Sequence, residues 1–360
     1  MDKIFLSPPH MSGKEQEYIK NVFDSNYITS LGEYVNKFED ITKTTTKAKN
    51  ALALINGTAA IHLALRVLGV GEGDVVLTSS FTFIGSVSSI LYQKATPVFI
   101  DSNENWNICP NLVEDAIKKY KPKALILTHL YGQMAHIEEI VTICRKAGVY
   151  VIEDAAESLG ATLNGKHSGT FGDFGVFSFN GNKILTTSGG GMLVSDNEKW
   201  IQEAKFLSTQ AKEDHIWYEH ETYGYNYRMS NVLAAIGLAQ MEVLEDRVFK
   251  KRQIFSWYQE FLEGNITFMP EIANSKGNRW LTTLTFEDKN IFDVIDVLNK
   301  NGIESRPLWK PMHMQPVFKS SERIVNGVSE KLFQKGICLP SGTVLEKEDV
   351  KRIANLINNI

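Results

Sequence analysis

Cysteine is scarce in this chain: Cys109, Cys144 and Cys338 are the only three in 360 residues, and they stand far apart. They have no zinc-ligand spacing and cannot all pair, so a disulfide framework and a zinc module are excluded and buried or half-buried thiols are expected. Excess charge of one sign is also missing. The 38 Lys and Arg against 42 Asp and Glu leave a net charge of −4, with no long basic block. That argues against sequence-independent nucleic-acid binding. No apolar run is long enough to span a bilayer, and Met1–His10 lacks a signal-peptide pattern. The expectation is a soluble, cytoplasmic protein with neither nucleic acid nor membrane as partner. Several motifs are missing too. Gly69-Val70-Gly71-Glu72-Gly73-Asp74 has Asp where the dinucleotide fingerprint needs a third Gly, and a strand follows it instead of a helix. There is no P-loop, no Gly-x-Ser-x-Gly elbow and no zinc-protease histidine spacing, so no metal site is expected.

What is present is alternation. Short apolar runs at 51–54, 75–77, 97–100, 124–128, 150–152, 176–179 and 192–194 are separated by amphipathic stretches such as 60–68, 112–119 and 137–147. This predicts an α/β fold with a mostly parallel central sheet covered on both faces. In such sheets ligands bind beyond the carboxyl ends of the strands. An N-terminal helical stretch, 13–40, breaks near Asn26-Tyr27. A stripe through Ala234, Leu238, Met241, Leu244 and Val248 predicts one long helix over 230–261. A boundary region at 264–277 precedes a strand at 280–286 and helices at 291–301 and 347–359. The expected division is a large domain, residues 1–246, and a smaller α+β domain, residues 247–360.

The residues at the strand ends carry the chemistry. Val149-Tyr150-Val151-Ile152-Glu153-Asp154 is an apolar strand ending in Asp, and Phe177-Ser178-Phe179-Asn180-Gly181-Asn182-Lys183 is an aromatic strand leading to an isolated Lys. An amine in that setting can bond covalently to the aldehyde of pyridoxal 5'-phosphate. An aspartate can keep the pyridine nitrogen protonated, so that the ring becomes an electron sink. Ala51-Leu52-Ala53-Leu54-Ile55-Asn56-Gly57-Thr58-Ala59-Ala60 reads as strand, turn and helix start, which offers unpaired N–H groups to a phosphate.

In order along the chain, Asn-Gly-Thr-Ala-Ala, Thr-Phe, His-Leu-Tyr-Gly, Glu-Asp-Ala-Ala-Glu, Ser-Phe-x-x-x-Lys and Gly-Tyr-Asn-Tyr-Arg-Met resemble the DegT/DnrJ/EryC1/StrS family of pyridoxal phosphate-dependent nucleotide-sugar aminotransferases. Phe5 to Met11, Thr128 to Gly132, Ser178 to Gly191 and Trp309 to His313 are most similar to the members that make UDP-4-amino-4,6-dideoxy-N-acetylglucosamine for bacterial bacillosamine synthesis. The resemblance implies a fold-type-I aminotransferase working as a homodimer with shared active sites. Its substrates would be L-glutamate and a UDP-sugar, with pyridoxamine 5'-phosphate as the intermediate form. It implies Lys183 as the covalent and proton-moving lysine and Asp154 on the pyridine nitrogen. Backbone N–H groups of the Gly57 turn, at Thr58 and Ala59, together with the Ser178 hydroxyl and Asn226 of the partner subunit, would hold the phosphate. Phe83 would stack on the ring. Glu157 stands where the family often has Gln; either it is protonated beside the cofactor's phenolic oxygen or it faces the sugar. Gly189 stands where Glu is usual. Arg306, Trp309 and His313 either bind the sugar nucleotide or fix the domain junction. Arg228 is expected in an interface ion pair, and His129 and Tyr131 as supports. A dehydratase on this fold would carry His in place of Lys183, and a non-catalytic relative would have lost Lys183, Asp154 or Ser178.

Overall fold

A computed structural model describes residues 3–360. Two helices, α1 (Glu15–Asp24) and α2 (Glu33–Thr46), precede the sheet; between them Asn26 turns with φ 56°, a conformation Asn tolerates better than most residues. The chain then alternates: β1 (Asn50–Leu54), α3 (Gly57–Val67), β2 (Val75–Ser79), α4 (Ile84–Tyr92), β3 (Thr96–Ile100), α5 (Pro110–Tyr120), β4 (Ala124–Thr128), α6 (Ile137–Ala147) and β5 (Tyr150–Asp154). The short strands β6 (Thr162–Leu163) and β7 (Lys166–His167) come next. They are followed by β8 (Phe174–Ser178), β9 (Gly191–Ser195), α7 (Glu198–Ser208), α8 (Asn231–Met241) and α9 (Leu244–Phe261). The remaining elements are β10 (Ile266–Phe268), β11 (Ser275–Lys276), β12 (Thr282–Phe286), α10 (Ile291–Lys300), β13 (Arg306–Pro307), β14 (Arg323–Ile324), α11 (Val328–Lys335), β15 (Gly336–Leu339) and α12 (Lys347–Asn358).

The large sheet has the order β1-β9-β8-β5-β4-β2-β3-β14. Every pairing from β8 to β14 is parallel; β9 runs antiparallel between β1 and β8. All seven apolar runs of the first half are strands of this sheet. The carboxyl ends of β1, β2, β4, β5 and β8 therefore open on one edge, as parallel strands joined by helical crossovers must. One face packs on α3 and α7 through residues such as Leu63, Ile152, Val176 and Ala204. The opposite face carries α2 and α8 at one end, through Phe38, Phe177 and Ala234. At the other end it carries α5 and α6, through Val113, Leu125 and Ile140. Full burial of each large apolar side chain contributes about 1.5–3 kcal/mol. Gly237 allows the closest approach of α2 and α8, because a Cβ there would lie 2.7 Å from the Phe38 ring.

A four-stranded antiparallel sheet, β10-β12-β15-β13, lies in the second part of the chain and buries Leu284, Phe286 and Ile337 against α9, α10 and α12. Two features depart from expectation. The helix predicted over 230–261 is two helices, divided at Glu242-Val243, where Val243 leaves helical geometry with φ −112° and ψ 13°. The apolar stripe runs through the break because both helices bury the same kind of residue, α8 against α2 and α9 against α12. The second is β14, which sends a late segment back to pair with β3 in the large sheet. No helix among the described residues is long and apolar enough to cross a membrane.

Candidate active site

At the carboxyl edge of the large sheet lies a cavity of about 570 Å³. One end of it is lined by the β1–α3 turn. Asn56 caps α3: its Oδ1 accepts from the Ala59 N–H at 2.7 Å. Among the described residues the Gly57 and Thr58 N–H groups have no protein acceptor, so two donors at a helix start point into the cavity's end. Ser178, the last residue of β8, faces the same turn, with its Cβ 3.4 Å from where a Gly57 Cβ would be. Gly191 keeps the neighbouring strand close, since a Cβ there would lie 2.3 Å from the Asn56 carbonyl carbon.

Asp154 ends β5 and is buried at the cavity floor. Its Oδ1 accepts from the Ala156 N–H at 3.1 Å and its Oδ2 from the Ser86 hydroxyl. Ser86 in turn shares a hydrogen bond with Thr82, which shares another with Thr128 at 2.7 Å. This hydroxyl chain fixes the carboxylate's plane while leaving its edge toward the cavity.

Lys183 follows β8 in a turn closed by its own N–H to the Asn180 carbonyl at 3.0 Å. Its Nζ lies 3.8 Å from Glu157 Oε1 and 4.2 Å from the centre of the Trp280 ring. Glu157 is buried, and its Oε2 accepts from the Tyr131 N–H at 2.6 Å. Burial raises the Glu157 carboxyl from 4.5 to about 7; the Lys183 charge opposes the rise and the Asp154 charge adds to it. Tyr131 is itself held with φ 50° and is fully buried, a conformation that costs about 1–3 kcal/mol in a non-glycine residue. Its Oη accepts from the Trp309 N–H at 2.9 Å, which ties the Glu157 support to the segment after β13.

Gly57, Thr58, Phe83, Asp154, Glu157, Ser178 and Lys183 thus come together on one cavity, with Arg306 and Trp309. Phe83 is 57% exposed, with its ring centre 5.7 Å from that of Trp309, so one ring face is open to a planar ligand. Arg306 pairs with Glu304 at 2.9 Å and remains largely solvated.

Two expectations, on Ala59 and Arg228, need correction, and of the two readings of His313 only the junction agrees with its surroundings. The Ala59 N–H is taken by the Asn56 cap, which leaves Gly57 and Thr58 as the free donors. His313 does not line the cavity. It is buried, with Nδ1 2.6 Å from Ser80 Oγ and Nε2 3.0 Å from Glu330 Oε1, and so belongs to the junction between β2 and α11. We expect His313→Ala to lower unfolding free energy by about 2 kcal/mol in urea and to leave the KM for sugar unchanged; a raised KM with unchanged stability would return His313 to the site. Arg228 is paired within the chain, with Glu39 Oε1 at 2.9 Å and the Ala53 carbonyl at 3.1 Å. Asn226 lies on the stretch that bridges to Thr209, away from the cavity of its own chain. His129 is a support as expected, with Nε2 2.9 Å from Glu153 and Nδ1 accepting from the Ala135 N–H.

Sequence reasoning missed Trp280 and Ser86. Trp280 stands 98 positions after Asn182, whose carbonyl its indole N–H reaches at 2.7 Å, and no local pattern marks it. Among the described residues no group of three or more His, Cys, Asp or Glu is placed to hold a metal ion. The residues do fit pyridoxal phosphate: free helix-start amides for the phosphate, a fixed carboxylate on the floor, a lysine in reach and an open aromatic face.

Comparison with known proteins agrees with that fit. The family model of the DegT/DnrJ/EryC1/StrS aminotransferase family matches residues 9–358. The chain is 51% identical to the putative pyridoxal phosphate-dependent aminotransferase EpsN of Bacillus subtilis, over 99% of this chain and 95% of that one. It is 38% identical to the GDP-perosamine synthase of Escherichia coli O157:H7, over 99% of this chain and 98% of that one. The putative sugar aminotransferase Spr1654 of Streptococcus pneumoniae, solved in PMP form, superposes with a TM-score of 0.93 at 25% identity, covering 99% of this chain and 97% of that one. None of these three carries the bacillosamine assignment. The chain belongs to the DegT/DnrJ/EryC1/StrS aminotransferase family and is a pyridoxal phosphate-dependent sugar aminotransferase.

Proposed function

We propose that the protein moves an amino group from L-glutamate to C4 of a UDP-linked 4-keto-6-deoxy-N-acetylhexosamine, giving a UDP-4-amino-4,6-dideoxy sugar. The observation that carries aminotransfer is the convergence of Lys183, Asp154 and the free Gly57 and Thr58 amides on one cavity. Support for the sugar comes from the sequence resemblance at residues 5–11 and 309–313, and from the cation and indole that Arg306 and Trp309 place on the cavity wall. Pyridoxal phosphate, when bound, supplies the electron sink and carries the amine between the two substrates. The chain's own residues do the rest. Gly57, Thr58 and Ser178 hold the phosphate. Asp154 keeps a proton on the ring nitrogen. The Lys183 Nζ would take the proton from the amine-bearing substrate carbon and deliver it to the cofactor carbon, and would carry it the other way in the second half. A dehydratase reading is disfavoured because Lys183 is present.

We further read the active unit as a homodimer in which the partner subunit's Asn226 completes the phosphate site. The aromatic segment before Asn226 supports this: Trp217, Tyr218 and Tyr223 are all exposed in the single chain. Sedimentation at working concentration tests it, and a monomer that is fully active would overturn it.

The function is tested by the visible spectrum with pyridoxal phosphate before and after L-glutamate. The yellow of the lysine-linked cofactor is expected to bleach, and a UDP-linked 4-ketosugar to restore it faster than a GDP- or dTDP-linked one. Restoration only by a GDP-linked ketone would overturn the UDP assignment; no bleaching would overturn glutamate as donor.

A further inference from the structure

Lys251, on α9, is buried and has no carboxylate partner among the described residues. Its amine donates to the carbonyls of Trp280 and Ser341, each at 2.9 Å, and reaches Ser7 Oγ at 3.4 Å. All three donors of one ammonium group are thus spent on three segments distant in sequence. A buried amine is costly without a counterion, and burial followed by the Arg247 charge lowers its pKa to about 7. What it holds is the wall of the active site. Trp280 is fixed at its backbone by Lys251 and by its own N–H to Asn278 Oδ1 at 2.8 Å, and at its indole by the Asn182 carbonyl at 2.7 Å. The ring face then lies 4.2 Å from Lys183 Nζ, which has Glu157 Oε1 3.8 Å away. An aromatic face and a carboxyl group both attract an ammonium group. The other titratable groups on the cavity are Asp154, Glu304, Arg306 and Cys338.

We propose that Trp280 is the dock for the Lys183 amine whenever that amine is not bonded to cofactor, and that Lys251 is the positioning residue that holds Trp280 in place. The proposal rests on the reading of Lys183 given above. In each half of amine transfer the lysine must let go and yet stay in reach to accept and return a proton. The Trp280 face gives the freed Nζ one resting place, beside the cavity centre and out of the substrate's way. Lys251 acts at second hand, since it does not line the cavity and its hydrogen bond to Trp280 is to the backbone carbonyl, not the ring.

The test uses cofactor-free protein and reads the rate at which acetic anhydride labels Lys183, by peptide mass spectrometry, relative to exposed lysines of the same sample. Trp280→Leu should speed Lys183 labelling about fivefold, the loss of one partly buried cation–aromatic contact, and Trp280→Phe should speed it less. Lys251→Met should shift labelling in the same direction, and combining it with Trp280→Leu should add nothing beyond Trp280→Leu alone. Lys251→Gln, with a shorter stem and two donors, should fall between native and Lys251→Met, and it serves where Lys251→Met does not fold. Native-rate labelling in Trp280→Leu would overturn the dock. Native-rate labelling in a folded Lys251 variant, or effects that multiply, would overturn the part given to Lys251. Pyridoxal phosphate added to native protein must protect Lys183. Failure there would sink the reading of Lys183 itself, whereas protection with an unaltered Trp280→Leu rate would sink only the dock.

Discussion

Lys183→Ala should abolish turnover in both directions while leaving pyridoxamine phosphate bound. Among the described residues Lys183 is the one lysine lining the cavity, and no His lines it to stand in as a proton carrier. Loss of a covalent amine that also moves protons should slow each half-reaction by at least about a thousandfold. The phosphate donors on Gly57 and Thr58, the Ser178 hydroxyl and Asp154 do not depend on Lys183 for their geometry. Pyridoxamine phosphate should therefore still titrate the variant, and its binding, followed by absorbance, should weaken by less than about tenfold. Single-turnover measurement with L-glutamate checks the chemistry. A variant within tenfold of native would show that another group carries the proton and would end the mechanism proposed here.

Glu157→Gln should change how stability depends on pH. The Glu157 carboxyl, raised from 4.5 to about 7, binds its proton more tightly in the folded protein than in the unfolded chain. Between those two values the folded state holds more protons, so stability falls as pH rises. The contribution is fully present below 4.5 and is lost as pH passes through about 7. Its size is about 3 kcal/mol. Glutamine cannot ionise and still offers an oxygen to the Tyr131 N–H. Urea unfolding of cofactor-free native protein and of Glu157→Gln, compared across that range, should give a stability difference that grows by about 3 kcal/mol in favour of the variant. Parallel curves would mean that Glu157 is ionised throughout, and the Lys183 contact would then be a full ion pair.

Much of this fold was legible because its signals are local. Each parallel strand is an apolar run with a turn residue after it, and the residues proposed for the site sit where those runs stop: Gly57, Asp154 and Ser178. The break between α8 and α9 was not legible, because an apolar stripe records which residues are buried and not against what. Whether His313 serves the cavity or the junction was not legible for a related reason. Closeness to Trp309 in sequence says nothing of side-chain direction across a tight turn. The Ala59 N–H is not free because the residue type that caps the helix, Asn56, uses the amide that a bare turn would leave open. Trp280 and Lys251 could not be found at all, since their partners are Asn182, Ser341 and Ser7, and only the folded chain brings these together.

The return of β14 to the large sheet has a consequence for how the molecule is built. Arg323 and Ile324 pair with Phe99 and Ile100, and just beyond them Asp101 accepts from the amides of Asn326, Gly327 and Ser329. The sheet that begins at Asn50 is therefore not closed at its far edge until residues more than 200 positions later have been made. During synthesis β3 stands as an open edge, a template for pairing with other chains. The architecture cannot be assembled strictly from one end to the other, and so high a contact order slows folding. A fragment stopping near residue 246 would keep Lys183 and Asp154 but carry that edge bare. Its expected fate is association through β3 instead of a small working enzyme.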